Sequence, residues 1–339
     1  MGKVKVGVIG LGGIAQLAHL PILKQLHNVE IAAVCDIKKN QLKNVADKFG
    51  VEKRFEDYKQ MLAEVPLDAV IIATPTDTHY EIAIDCLKAD KHILVEKPVT
   101  RNFNEALEIR KVAAERGKLA MVGMNMRFRP DAMLMKSLLA SHELGDIFYV
   151  RASWIRKRSS SANWLIAKEK AGGGVLMDLG VLLLDLAAWL LEYPKINRVS
   201  VQNFTHRTKT VEDSSVGMLR LSDERILNFE VSWSLNSEKD KLELDFFGTK
   251  GTAHLNPLRA YKIVGEEKVD ITPFSPSAKG AEAYMKSYEN ELKHFVAAIQ
   301  NLIGIVSSID GALHRMKLMD ALYESAKLGK ELEYSEPRF

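Results

Sequence analysis

Three groups of residues in this chain have types and spacings that could do chemistry. The first is Gly10-Leu11-Gly12-Gly13-Ile14-Ala15, a G-x-G-x-x-A run, with Asp36 at the end of the next apolar run. In a dinucleotide-binding turn the first glycine permits the tight bend and the second lets the backbone approach a pyrophosphate. Ala15 then allows close packing of helix on strand, and the helix N-terminus faces the phosphates. A carboxylate at Asp36 accepts hydrogen bonds from an adenosine ribose and repels a 2′-phosphate, so the pattern points to NAD. Lys38 and Lys39 lie close behind and would tolerate the phosphate, which leaves NADP open. The second group is Lys97, in "VEKP" at the end of an apolar run. A lysine works as an acid or base when burial and nearby positive charge lower its pKa; otherwise it simply leaves the strand, as most lysines do. The third is the stretch "GGGVLMDLGVLLLDLAAWL", where Asp178, Leu182 and Asp185 are spaced i, i+4, i+7 and so share one helix face. An acid in a first helical turn also stabilises the helix dipole. Asp185 lies too deep for that and calls for a structural partner.

The elements that must position these residues follow from the apolar pattern. Lys3–Gly10, Val29–Asp36, Leu67–Pro75, His92–Pro98 and Leu119–Asn125 read as buried strands, with helical segments between them as in βαβ units. A helix is expected around Leu17, Leu20, Leu23 and Leu26. Thr74, Pro75, Glu96, Lys97 and Asn125 all fall at carboxyl ends of strands, the edge where parallel sheets bind ligands. After Asn125 the pattern changes. Pro130–Ser141 reads as a helix, and long alternating segments follow, with hairpin turns at "SDER", "GTKG" and "GEE". Leu227, Phe229, Val231, Trp233 and Leu235 share one face of a strand, and Asn228, Glu230, Ser232 and Ser234 the other. Two helices close the chain, about Ala281–Asn301 and Gly311–Gly329. The expected class is α/β: a doubly wound parallel Rossmann sheet over 1–122, then an α+β domain over 123–339 for substrate binding and oligomerisation. That second domain has a large, mainly antiparallel open sheet with helices on one face. Gly172–Gly174 read as a flexible loop that brings backbone close to a ligand. Leu176, Leu179, Leu183, Leu186 and Leu190 then supply core-facing positions.

The bulk numbers bound the remaining classes. At 339 residues the chain exceeds what one core usually serves. Acids and bases are interspersed at a net charge of +3, which makes no case for nucleic acid or a membrane surface. No run approaches the eighteen apolar residues of a membrane span, and the N-terminus shows no basic-then-apolar leader. Cys35 and Cys86 read as small buried thiols in a reducing compartment, so a cytoplasmic location is expected. The nine histidines show no ligand spacing, and no metal site is expected. Arg151, Arg156, Lys157 and Arg158 lead into "SSSANWLIAKEK", with Trp164 and Lys168 before the glycines. This is either a solvated basic stretch or the border of a site for an anionic substrate such as a sugar acid or nucleotide sugar. Arg127 and Arg129 in "NMRFRP" would add to the latter.

"GVIGLGGIAQLAHLPIL", "IIATPTDTHYEIA", "KHILVEKP", "NMRFRP", "GGGVLMDLG" and "DGALHRMKLMDALYESAKLGK" together resemble the Gfo/Idh/MocA family, the glucose–fructose oxidoreductase and inositol dehydrogenase group, over nearly the whole length. The resemblance implies hydride transfer between a nicotinamide and a secondary hydroxyl of a sugar, polyol or sugar derivative. It implies a proton-transfer role for Lys97 and a substrate role for Asp178. The implied cofactor residues are Gly10, Gly12, Gly13, Ile14, Asp36, Thr74, Pro75, His79, Glu96, Lys97 and Asn125, with His79 at a position that also reads as structural. Asp178 and Leu182 are the implied substrate residues, and Arg127, Arg156 and Trp164 from the basic stretch and its surroundings are further substrate candidates. Many members carry D-x-G-x-H-x-x-D after the glycines, with the histidine as acid/base; here that place holds Leu182. The departure keeps two other readings open: an NAD-using glycoside-cleaving enzyme, and a non-catalytic nucleotide or sugar sensor. A cis Lys97–Pro98 bond is also implied. A homodimer or homotetramer, joined through the helix-free face of the large sheet, is expected because the sequence leaves no helix to cover that face.

Overall fold

The computed structural model describes residues 2–158, 162–235, 237–274 and 281–337. Ser159–Ser161 of the basic stretch lie outside the described residues. The chain forms two compact units, Met1–Asn125 with Tyr288–Leu313, and Met126–Ser287 with His314–Phe339.

The first unit holds six parallel strands: β1 (Val4–Ile9), β2 (Val29–Cys35), β3 (Arg54–Phe55), β4 (Ala69–Ile72), β5 (His92–Val95) and β6 (Ala120–Val122). Their order is β3-β2-β1-β4-β5-β6, the doubly wound arrangement. Val6, Val8, Val70, Ile71, Ile93 and Leu94 are fully buried, as strands covered on both faces require. The helices between them start and stop on local signals. Asn102 accepts the Glu105 amide at 3.1 Å to begin Phe103–Arg116, and Gly117, at φ 60°, ends it. The helix after the glycine turn differs from the regular one expected. It opens as a π-turn, Ala15–His19, before Leu20–Gln25. The widened turn shifts the phase, so Leu17 is left 59% exposed while Leu20 and Leu23 are buried. The short β3 had no counterpart in the sequence pattern. Tyr288–Leu313, placed by sequence in the second domain, packs with the first unit. The cause is the edge of β6: the Val122 amide donates to Ser307 O, and Ser307 Oγ to Val122 O, both at 2.8 Å.

The second unit is built on nine strands. They are β7 (Ile147–Ile155), β8 (Ile196–Phe204), β9 (Ser214–Leu221), β10 (Ile226–Ser232), β11 (Lys241–Gly248), β12 (Gly251–Leu255), β13 (Arg259–Val264), β14 (Glu267–Asp270) and β15 (Leu332–Glu333). The order is β14-β13-β12-β11-β7-β10-β9-β8-β15, antiparallel except for the β7–β10 pair. Leu227, Phe229 and Val231 point inward as expected, but the alternation stops with β10, and Leu235 is 47% exposed. The π-turn Leu176–Gly180 packs on β10, and the helix Val181–Leu190 packs on β7. The whole stretch Lys168–Leu190 has the length and mean hydropathy, 1.7, of a membrane span, but 83% of its apolar window is buried within the fold. It is the core helix of this unit.

Candidate functional site

The first unit brings its expected residues to the carboxyl edge of the parallel sheet. Gly10 has φ 89°, and a Cβ there would lie 2.6 Å from Ala73 O, so only glycine lets β1 turn this close to the end of β4. At Gly12 and Gly13 an added Cβ would meet nothing within 4 Å. The turn therefore presents bare backbone, the cradle a pyrophosphate requires. Asp36 is held at its rim. Its Oδ2 accepts the Leu11 amide at 2.8 Å and its Oδ1 the Lys38 amide at 2.9 Å. Gln41 Nε2 donates to Leu11 O at 2.6 Å, and Gln16 Nε2 to the same oxygen at 2.7 Å. These two glutamines were not singled out by sequence; only the fold brings them to one carbonyl.

Thr74 and Pro75 follow β4. Thr78 Oγ1 donates to Thr74 Oγ1 or to Pro75 O, at 2.7 and 2.8 Å. His79 is buried. Its Nδ1 lies 2.9 Å from Pro98 O and its Nε2 2.9 Å from Thr74 O. Burial lowers its pKa against the pull of those carbonyls, so the ring is neutral and donates to one of them at a time. Both ring nitrogens are turned to main chain. The ring ties the turn after β4 to the turn after β5. The Lys97–Pro98 peptide is cis, as expected, and Asn256–Pro257 is also cis.

Glu96 and Lys97 close β5. Glu96 is buried, with Oε1 2.8 Å from His19 Nε2. Burial alone would raise its carboxyl. The hydrogen bond and charge of His19, then the Lys97 ammonium, outweigh that and hold it below the usual range. His19 is fully buried, and its ring meets Tyr288 edge to face at 5.9 Å. Sequence reasoning passed over His19; its signal was its place on the helix that leaves the glycine turn. Lys97 itself is half-buried, and Asn125 is buried where the chain leaves β6.

In the second unit the glycine-rich stretch is no ligand-facing flexible loop. A Cβ at Gly173 would fall 1.8 Å from the Tyr323 hydroxyl, and one at Gly174 would fall 1.9 Å from Glu212 O. The glycines are small because protein packs against them. Asp178 is 9% exposed, and Trp233 Nε1 donates to its Oδ2 at 3.2 Å. Trp233, expected only as a core residue, thus holds a carboxylate. Leu182, at the place of the family histidine, is buried at 5% exposure.

Asp185 has the structural partner its depth called for. Arg127 grips it bidentately at 2.7 and 2.5 Å, and Arg315 adds an ion pair at 2.8 Å. Burial opposes ionisation of Asp185, but the two guanidinium groups hold its carboxyl below the usual range. Arg127, expected to bind substrate, is buried in this triad. Arg129 is likewise buried on Asp131, and Arg151 pairs with Asp245 across β7 and β11. Arg156 Nε lies 3.3 Å from Lys157 O, and Trp164 is half-buried in a short turn. A group of three or more His, Cys, Asp and Glu fit to hold a metal is absent among the described residues.

Comparison with known proteins follows the same division. The family model described as the Gfo/Idh/MocA "oxidoreductase family, NAD-binding Rossmann fold" matches residues 4–124, and that family's C-terminal domain matches residues 133–254. A D-glucoside 3-dehydrogenase of Escherichia coli (strain K12) is 27% identical over 97% of this chain and 97% of its own. A myo-inositol 2-dehydrogenase of Thermotoga maritima is 24% identical over 93% of each chain. The solved levoglucosan dehydrogenase, in complex with NADH, superposes with a TM-score of 0.89 at 20% identity, covering 99% of this chain and 100% of the other, and so shares the fold.

Proposed function

Because the chain belongs to the Gfo/Idh/MocA family of oxidoreductases with an NAD-binding Rossmann domain, we propose that it is an NAD-dependent dehydrogenase of a secondary hydroxyl on a sugar, polyol or sugar derivative. The observation that carries this reading is the bare Gly12–Gly13 turn with the Asp36 carboxylate pinned at its rim. Each Asp36 oxygen keeps lone-pair capacity for a ribose hydroxyl. Bound NAD supplies the hydride acceptor. Lys97, in its neutral amine form, takes the hydroxyl proton at Nζ as the carbinol carbon is oxidised and becomes the ammonium, and Asp178 accepts hydrogen bonds from neighbouring hydroxyls of the substrate. The relatives that act on a glucoside and on an inositol support a ring hydroxyl as the target. A neutral ring fits better than an anionic one, since Arg127, Arg129 and Arg151 are each occupied by a carboxylate.

The test is a panel of methyl glucosides, free hexoses and inositols with NAD, followed by nicotinamide absorbance. Lys97→Met is expected to cut turnover by about 10²–10⁴-fold, the range for a positioned acid or base. NAD affinity in calorimetry should not change. Wild-type turnover in Lys97→Met overturns the lysine assignment. Sugar cleavage without net NADH would identify the glycoside-cleaving alternative.

A further inference from the structure

We propose that Glu212 is a positioning residue for Asp178, holding the start of the helix that carries it. This deepens the reading above and rests on Asp178 serving the substrate. Glu212 lies just before β9 and is 7% exposed. Its Oε1 accepts the Gly174 amide at 2.9 Å, the Leu176 amide at 3.0 Å and the Tyr323 hydroxyl at 2.8 Å. Its main-chain oxygen accepts the Val175 amide at 2.9 Å. Three successive amides at the start of the Asp178 helix are thus satisfied by one residue from another element. Such amides have no partner within their own helix, and here no side chain of the helix itself caps them.

The second handle runs through the next residue. Asp213 O accepts the Trp233 amide at 2.8 Å, and the Trp233 indole donates to Asp178. Backbone and carboxylate of Asp178 are therefore referred to the same dipeptide, Glu212–Asp213. The glycines fit this arrangement: any side chain at Gly173 or Gly174 would displace Tyr323 or Glu212. Glu212 forms no ion pair with a lysine or arginine among the described residues. Burial pushes its carboxyl up, and the bonds from Tyr323, Leu176 and Gly174 pull the other way. Its partners are all hydrogen-bond donors, so an acceptor oxygen is what the site demands.

The experiment compares Glu212→Ala, Glu212→Gln, Asp178→Asn and the double variant Glu212→Ala/Asp178→Asn, with methyl D-glucoside and myo-inositol as probes. Glu212→Ala is expected to lower kcat/KM by about 10²-fold, the effect of a small misplacement away from the chemistry. The dissociation constant for NAD should stay within about twofold, because Glu212 acts on substrate and not on cofactor. Glu212→Gln keeps an acceptor oxygen and should recover most of the loss. The double variant should be no slower than Asp178→Asn alone, since residues acting through one group are not additive. Losses that multiply in the double variant, or wild-type kcat/KM in folded Glu212→Ala, overturn the proposal and leave the Asp178 reading in place. Wild-type kinetics in Asp178→Asn overturn that reading and the proposal with it. If Glu212→Ala does not fold, Tyr323→Phe removes one of the three donors. It should lower kcat/KM by a smaller factor, about threefold, and unchanged kinetics there also overturn the proposal.

Discussion

At the end of β2, Asp36 binds the Leu11 and Lys38 amides and fixes its carboxylate at the rim of the glycine turn. A phosphate held there would meet that charge at short range, a repulsion of about 1–4 kcal/mol at 4 Å under water-like to surface-like screening. NAD(H) should therefore bind at least about fivefold tighter than NADP(H) in calorimetry, and Asp36→Ala should narrow the gap. His79 makes the corresponding case for stability. Its pKa is lowered in the fold, so the unfolded chain takes up a proton that the native state refuses. The sign follows: this contribution is complete above the unfolded pKa of about 6.5 and is lost as pH falls through the lower, folded value. The His79 share, read as the melting-temperature difference between wild type and His79→Gln, should be constant above neutral pH and shrink below about pH 6.5. Glu212, whose carboxyl is raised, contributes in the opposite sense: its share is complete below its unfolded pKa and is lost as pH rises through the folded one.

Among the elements, two glycine turns look alike in sequence and differ in physics. The Gly10–Ala15 turn leaves Gly12 and Gly13 open, whereas Gly173 and Gly174 are packed against Tyr323 and Glu212. Gly12→Ala should leave the melting temperature nearly unchanged and weaken NAD by about tenfold or more, through lost backbone approach to the pyrophosphate. Gly174→Ala should leave NAD affinity intact and lower stability by about 1–3 kcal/mol, the cost of overpacking. Calorimetric melting and NAD titration of both variants check the pair. Both functional helices also open on a π-turn, Ala15–His19 and Leu176–Gly180. A face counted at regular helical spacing slips by part of a turn across each. Leu17 is accordingly exposed where the pattern buried it, and the two acids of the second helix meet different partners, Asp178 the Trp233 indole and Asp185 the Arg127 guanidinium.

For the whole molecule, the outer face of the nine-stranded sheet decides the expected assembly. Tyr149, Arg151, Asn228 and Glu230 line a hollow of about 480 Å³ on it, and Val216 stands 49% exposed at its border. Tyr149 stacks on Phe247 with ring centroids 5.2 Å apart, so the face mixes aromatic with charged side chains. A face of this kind, without a covering helix among the described residues, fits contact with another copy. Light scattering should report a dimer or tetramer at working concentration, and Val216→Glu should shift it toward monomer. A wild-type monomer across that range counts against this assignment.

The sequence by itself determined the parallel and antiparallel sheets, the glycine turn with Asp36, the Glu96–Lys97 strand end and the place of Asp178. Each is written in local terms: a period of two or of one helical turn, a glycine where backbone must bend, an acid or lysine where a strand stops. Tertiary structure alone decided what each buried polar group touches. Arg127 and Asp185 stand 58 residues apart, His19 and Glu96 77 apart, and Gly174 and Glu212 38 apart. Such pairs leave no periodic trace, because each partner is chosen by the path of the chain through space. A buried carboxylate reads the same in sequence whether it awaits a ligand or already holds an arginine, and only the energetic demand that buried charge be satisfied, met by whichever donor the fold delivers, tells them apart.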